Sequence, residues 1–271
     1  LEDIKNRTLR IIGDAAERYR EDPVRMLRAI RLMTKLNLQP EPETEEFMPR
    51  LAPLLAEISS TRLFEELLKM LYRGQAFDNV KYLAEYNILP YLLPITAASL
   101  FNEKKLSLIS QLGLQNTDDR VNRGKSINPA FLLSVLLWKD LQGREQAFRQ
   151  QKHRPATAFR MAMDAVLSEQ LNATSIPKRI TLMMIEIWRM QYPLECLRHK
   201  QAMALAGQKR FRAAYDFLLL RSESGEPLEA VADWWTHFQT LDAGAREVMV
   251  QALPQAENTP KKAKEKQRDT K

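Results

Sequence analysis

The chain has 271 residues, 45% of them apolar, and its 41 lysines and arginines outnumber 34 acids for a formal net charge of +7. That length suits one large or two small domains with a core, while only 8 glycines disfavour an all-β protein rich in tight turns. With no apolar run of about 18 residues, no apolar signal segment and a single cysteine, Cys196, the sequence excludes an internal disulfide and predicts a cytoplasmic protein without a membrane span.

The excess charge sits at the two ends. Residues 1–40 carry nine basic and six acidic side chains, residues 261–271 carry six and two, and the 220 residues between them balance. Both ends are plausible contacts for a polyanion, since charge neutralisation supplies most sequence-independent affinity for nucleic acid. In chain order, Arg10 precedes a turn marked by Gly13-Asp14, where a solvated arginine is as reasonable as a binding one. Residues 18–31 then set the acidic pair Glu21-Asp22 before Pro23 and repeat arginine at 25, 28 and 31. Asp22 is the predicted N-cap of a helix, with Pro23 at the first helical position, where no amide donor is needed. At about 100° per residue Arg28, Arg31 and Lys35 share one side, with Arg25 at its margin; Met26, Ala29, Ile30, Met33 and Leu36 take the other. By itself such a stripe is most often a solvated face.

Helix follows helix downstream. Ser59, Ser60 and Thr61 are predicted to cap a helix over 62–72 with Leu63, Phe64, Leu67, Leu68 and Leu71 on one face, ending near Gly74. Asp78 and Asn79 open a shorter one, which the two prolines of residues 87–94 break. Residues 96–128 are polar and weakly patterned, and are predicted to be mostly helix ends and loops. Asn128-Pro129 begins an apolar helix over 130–138, and further helices are predicted over 157–171, 177–190, 208–222 and 227–239. No stretch alternates as a strand would, and residues 254–271 have the composition of a disordered tail. Phe211, Tyr215, Trp234 and Trp235 read better as core than as stacking platforms, and the eleven methionines as core filler. His153, His199 and His237 lie far apart, and no glycine-rich phosphate loop occurs, which removes the zinc and P-loop classes.

The string Glu21-Asp22-Pro23-Val24-Arg25 closely resembles the Glu-Asp-x-x-Arg motif of the nucleotidyltransferases, the family shared by bacterial poly(A) polymerases and CCA-adding tRNA nucleotidyltransferases. The resemblance implies that Asp22 and Arg25 hydrogen-bond the edge of the incoming base, with Glu21 beside them and Arg28 and Arg10 supporting the nucleotide. Residues 3–14 resemble the end of the family's catalytic head. The head's Gly-Ser and Asp-x-Asp pairs, which hold two Mg2+ ions, are absent. No catalytic residue and no metal ligand is therefore expected in this chain, and alone it is expected to be inactive. Arg62-Leu63-Phe64-Glu65-Glu66, Asn128-Pro129-Ala130-Phe131-Leu132, Ile176-Pro177-Lys178-Arg179, Phe211-Arg212-Ala213-Ala214-Tyr215-Asp216 and Trp234-Trp235 resemble the bacterial poly(A) polymerases in particular.

The expected architecture is all-α: a multi-helix neck, body and tail of a nucleotidyltransferase without its mixed α/β head. Residues 1–17 are the head remnant, 18–95 a neck with the nucleotide-recognition helix, 96–253 a helical RNA-binding body and 254–271 a disordered basic tail. The implied activity transfers AMP from ATP to RNA 3′ ends. Lys178, Arg179, Lys209, Arg210 and Arg212 are the candidate RNA contacts, since basic groups beside aromatics suit single strands. The alternatives are a CCA-adding enzyme and a non-catalytic RNA-binding module.

Overall fold

The computed structural model describes residues 2–103 and 105–253, so the predicted tail at 254–271 lies outside the described residues. Seventeen helices and two strands of two residues each make up the described chain. The protein is all-α, as predicted. A short helix α1 (Glu2–Lys5) leads to β1 (Thr8–Leu9), then to α2 (Ala15–Glu21) and α3 (Val24–Leu36). Next come β2 (Gln39–Pro40), which pairs in parallel with β1, and α4 (Pro42–Leu51), followed by a 3-10 turn over Ala52–Glu57. No strand was predicted, and two residues are too few to alternate.

The join between α2 and α3 differs by one residue from the predicted cap. Residues before proline are pushed out of the helical region, and Asp22 sits at φ −147°, ψ 92°, ending α2. The next helix then begins at Val24, with Pro23 in the cap position. Asp22 Oδ1 still accepts from the Val24 amide, at 3.3 Å. The buried face of α3 is Val24, Met26, Leu27, Ile30 and Met33, whereas Leu36, expected inside, is exposed in the last turn.

Helices α5 (Ser60–Leu71) and α6 (Ala76–Glu85) follow, separated by Gly74 at φ +83°. Neither starts as predicted. Ser59 makes no side-chain cap, and the Ser60 hydroxyl instead meets that of Ser175 at 2.5 Å. The first amides of α6, those of Ala76 and Phe77, are met by the Asp118 carboxylate at 2.6 and 3.0 Å. Burial pushes the Asp118 pKa up while those two amides pull it back. Asn79 is buried, donating to the Met70 carbonyl and accepting from Thr34.

After α7 (Leu89–Leu92), the region predicted as loop folds into α8 (Pro94–Glu103) and α9 (Leu108–Asn122). The buried side of α9 includes Ser110, Gly113 and Thr117, small or polar residues that leave no apolar period in the sequence. At Gly113 the cause is the closeness of α10 (Pro129–Leu136): a Cβ there would stand 2.6 Å from Val135 Cγ1. The helix predicted over 130–138 breaks at Leu137, and α11 (Trp138–Gln150), which was not predicted, buries only Trp138 and Leu141.

The remaining helices are α12 (Pro155–Ala173), α13 (Lys178–Cys196), α14 (His199–Ala206), α15 (Phe211–Glu223), α16 (Glu229–Thr240) and α17 (Ala243–Gln251). Two buried clusters form. One runs from Ala15 to Leu220, and a smaller aromatic one from Met190 to Val250 contains Phe211, Tyr215, Trp235 and Phe238. Helix α13 feeds both, with Ile180, Met184, Ile187 and Trp188 in the first and Met190 and Leu194 in the second.

Candidate nucleic-acid interface

The helix pair α2–α3 and the strand β1 enclose an open cleft of about 480 Å³. Arg10, Arg18, Arg25 and Arg28 all line it, with Ile12 and Leu32 among its apolar walls. Each guanidinium is held by a carboxylate or a carbonyl, which orders it without removing it from solvent. Arg10 pairs with Glu41 and, at 3.4 Å, with Asp3. Arg18 donates to the Ile12 carbonyl at 3.1 Å and to Glu21 at 2.9 Å, and Arg25 approaches Glu21 at 3.5 Å. Glu21 thus bridges two cleft arginines. Pairs of this exposure contribute roughly 0–1 kcal/mol each. Their consequence is geometric: planar, multi-donor groups are presented toward one volume, as phosphate or a base edge requires.

Asp22 stands at the joint of the two helices and is not among the residues lining the cleft. Its carboxylate, 20% exposed, is gripped from α5 by Arg62, whose Nη2 lies 2.9 Å from both oxygens. Arg28 approaches Asp22 at 4.0 Å and Glu66 at 3.8 Å, and Glu66, almost fully buried, also takes Lys69 at 2.9 Å. The predicted residues Asp22 and Arg28 therefore belong to a web whose other members, Arg62, Glu66 and Lys69, the sequence reading did not single out. Arg62, Glu66 and Lys69 are spaced i, i+4, i+7. That places a polar stripe beside the apolar face of α5, a sequence signal for these residues though not for their contact with Asp22.

The candidate RNA contacts fall in two places. Lys178 and Arg179 are exposed in the first turn of α13. The loop before it is bonded to the start of α5: the Ser175 amide donates to the Ser60 carbonyl at 3.1 Å. This brings the start of α13 near the helix that carries Arg62. Lys209 and Arg210 line a second open cleft of about 430 Å³ between α13 and the α14–α15 connection, with Arg189, Met190 and Glu186. Arg210 donates to Glu186 at 2.8 Å, and Arg212 pairs with Asp216 at 3.0 Å. Phe211 and Tyr215 are buried, and Trp235 donates its indole N–H to the Leu194 carbonyl at 3.0 Å, so these aromatics are packing groups. Among the described residues no group of three or more His, Cys, Asp or Glu is arranged to hold a metal ion. Nor is any helix long and apolar enough to cross a membrane.

Known proteins resemble this chain in sequence and in fold. A family model described as "Polymerase A arginine-rich C-terminus" matches residues 151–269, and another described as "Probable RNA and SrmB- binding site of polymerase A" matches residues 37–100. The chain is 40% identical over 246 residues to "Poly(A) polymerase I" of Salmonella typhi, covering 88% of this chain and 52% of that protein. The chain belongs to the bacterial poly(A) polymerase family. The Haemophilus influenzae polymerase is 35% identical over 271 residues, covering 97% of this chain and 59% of its own. A "CCA-adding enzyme" of Geobacillus stearothermophilus is 40% identical over 91 residues, but these cover only 34% of this chain and 22% of that enzyme. Similarity to the polymerases thus spans far more of this chain than similarity to this CCA-adding relative. The chain spans about half the length of the polymerases it matches. A solved tRNA-processing enzyme in an apo form shares the fold, with a TM-score of 0.50 at 17% identity over 92% of this chain and 63% of its own.

Proposed function

We propose that this chain supplies nucleotide selection and RNA holding to a template-independent RNA adenylyltransferase. The reaction moves AMP from ATP to an RNA 3′ end: the terminal hydroxyl oxygen bonds to the α-phosphorus, the bond to pyrophosphate breaks, and the hydroxyl proton is released. In the cell this is cytoplasmic polyadenylation of RNA, mRNA included, which promotes turnover. One observation carries the reading: a carboxylate, Asp22, and a guanidinium, Arg25, stand a turn apart beside a cleft that gathers four arginines. A carboxylate accepts from the exocyclic amino group of adenine while a guanidinium donates to ring nitrogens, so the pair serves in place of a template. Arg10, Arg18 and Arg28 would face the phosphates, and Lys178, Arg179, Lys209, Arg210 and Arg212 the RNA. The described residues do not fit a Mg2+ site, and the metal such a transfer uses would be held by carboxylates other than these.

The decisive variant is Arg25→Ala in the full-length protein, assayed with an RNA primer and each nucleotide in turn. ATP preference over CTP should fall by at least tenfold, about 1.4 kcal/mol, which is modest for a charged hydrogen bond. An unchanged preference would refute the assignment. Ordered addition of C, C and A to a tRNA end would instead favour the CCA-adding reading.

A further inference from the structure

Three features of α13 go unused in the reading above. Large apolar side chains are exposed on it: Leu182 at 50% and Tyr192 at 59%. On a helical projection Lys178, Leu182, Arg189 and Tyr192 share one side, within roughly 80° at 100° per residue, along about 21 Å of axis. Finally, the basic groups here are unspent. Lys178, Arg179, Arg189, Arg198 and Lys209 have no carboxylate partner among the described residues, whereas Glu186, Glu195 and Asp216 are already taken by Arg210, Arg221 and Arg212. The Tyr192 hydroxyl meets Cys196 one turn on, which raises its pKa, while the nearby charges of Arg198 and of Arg149, the latter already paired with Glu145, act in the opposite sense.

We infer that this exposed face of α13, from Lys178 to Tyr192, is a track for single-stranded RNA, with Tyr192 as its stacking platform and Arg189 as its central phosphate or base contact. The inference rests on the proposed function and deepens it. Phe211 and Tyr215, the aromatics beside the basic cluster, are buried and cannot stack on a base; Tyr192 can. An exposed ring flanked by unpaired cations is the combination that holds single strands, with charge tracking the backbone and the ring taking any base. The excess of positive over uncommitted negative groups selects a polyanion. One end of the track lies close to the proposed nucleotide site. Ser175, bonded to Ser60, is three residues before Lys178, a span of at most about 11 Å. Arg62, which holds Asp22, is two residues beyond Ser60. The cleft between α13 and the α14–α15 connection adjoins the far half of the track, at Arg189 and Lys209.

The test measures binding of a labelled oligoadenylate to the full chain by fluorescence anisotropy. Tyr192→Ala and Arg189→Ala should each weaken binding about tenfold, a stacking or charge contact of ordinary size. Tyr192→Phe keeps the ring and should bind as the parent does. Arg50→Ala and Arg123→Ala remove exposed arginines that already have carboxylate partners, and should change binding less than twofold. A strand of equal length carrying abasic sites should lose its sensitivity to residue 192 but keep that to Arg189. Equal weakening by all four alanine variants, or a Tyr192→Ala effect that persists with abasic strands, would reduce the track to bulk charge and overturn it, leaving the proposed function standing. A parent chain that does not bind oligoadenylate would remove both.

Discussion

Arg62 places one nitrogen 2.9 Å from both oxygens of Asp22, and nothing else among the described residues holds that carboxylate as closely. A side chain with two free torsions is thereby fixed, at the cost of some of its acceptor capacity; the remaining lone pairs point where Arg62 leaves them. A residue acting through Asp22 in this way should alter which nucleotide is chosen more than how fast the chosen one reacts. Arg62→Ala in the full-length protein is expected to lower ATP-over-CTP preference several-fold with a smaller change in maximal rate, and Arg62→Lys to restore part of it. A proportional loss with every nucleotide would show that Arg62 only supports the fold. This contact joins residues 40 apart, and no local pattern could have disclosed it. Arg25, Arg28 and Asp22, by contrast, stood out as candidates because a proline, an acidic pair and a three-residue arginine spacing are all written within eleven residues.

Elements were legible where burial is one-sided and apolar. The helix of Leu63, Phe64 and Leu67 was found within two residues at either end, because its buried stripe is written in leucine and phenylalanine. Helix α9 was missed because its packing is written in the opposite code, by absence of side chain. At Gly113 an added methyl would meet Val135 Cγ1 at 2.6 Å, and Val135, β-branched, has little rotamer freedom with which to move away. Gly113→Ala is therefore expected to destabilise the fold by about 1–2 kcal/mol, overpacking outweighing the gain in helix propensity. Gly143, in α11, meets nothing within 4 Å, and Gly143→Ala should stabilise by about 0.5–1 kcal/mol. Thermal melting of the two variants side by side checks the sign of each; two shifts in the same direction would contradict the packing described.

At the scale of the molecule, the two buried clusters are joined by α13, by α15 and by one arginine. Arg221, 4% exposed, donates to Gln191 at 3.1 Å and Glu195 at 2.6 Å on α13, and to Glu226 at 2.6 Å. Its guanidinium also lies over the Trp138 ring, 4.6 Å from the centroid, and Trp138 donates to Glu226 at 2.9 Å. Trp138, the Gln191–Glu195 turn of α13 and Glu226, just past the end of α15, thus converge on a single cation. Arg221→Ala would strand Glu226 beside the Trp138 indole and empty the space between helices. The expected loss is about 3 kcal/mol, the lower end for breaking a buried pair because the two glutamates keep some contact with water. Urea titration followed by tryptophan fluorescence measures it, and a loss below about 1 kcal/mol would show that the ring and helices hold without the cation. None of this was visible in sequence, where Arg221 is one arginine among many and its partners lie before and after it at unrelated spacings.

Because α13 serves two interiors in succession, its length is fixed as firmly as its composition. Inserting a single residue near Arg189 would turn everything beyond it by about 100° relative to what comes before. Ile180 through Trp188 would keep their seats, while Met190 and Leu194 would swing out of the aromatic cluster. Homologous chains should therefore vary freely in the number of residues connecting these helices, yet hold constant the number of residues between Ile180 and Leu194.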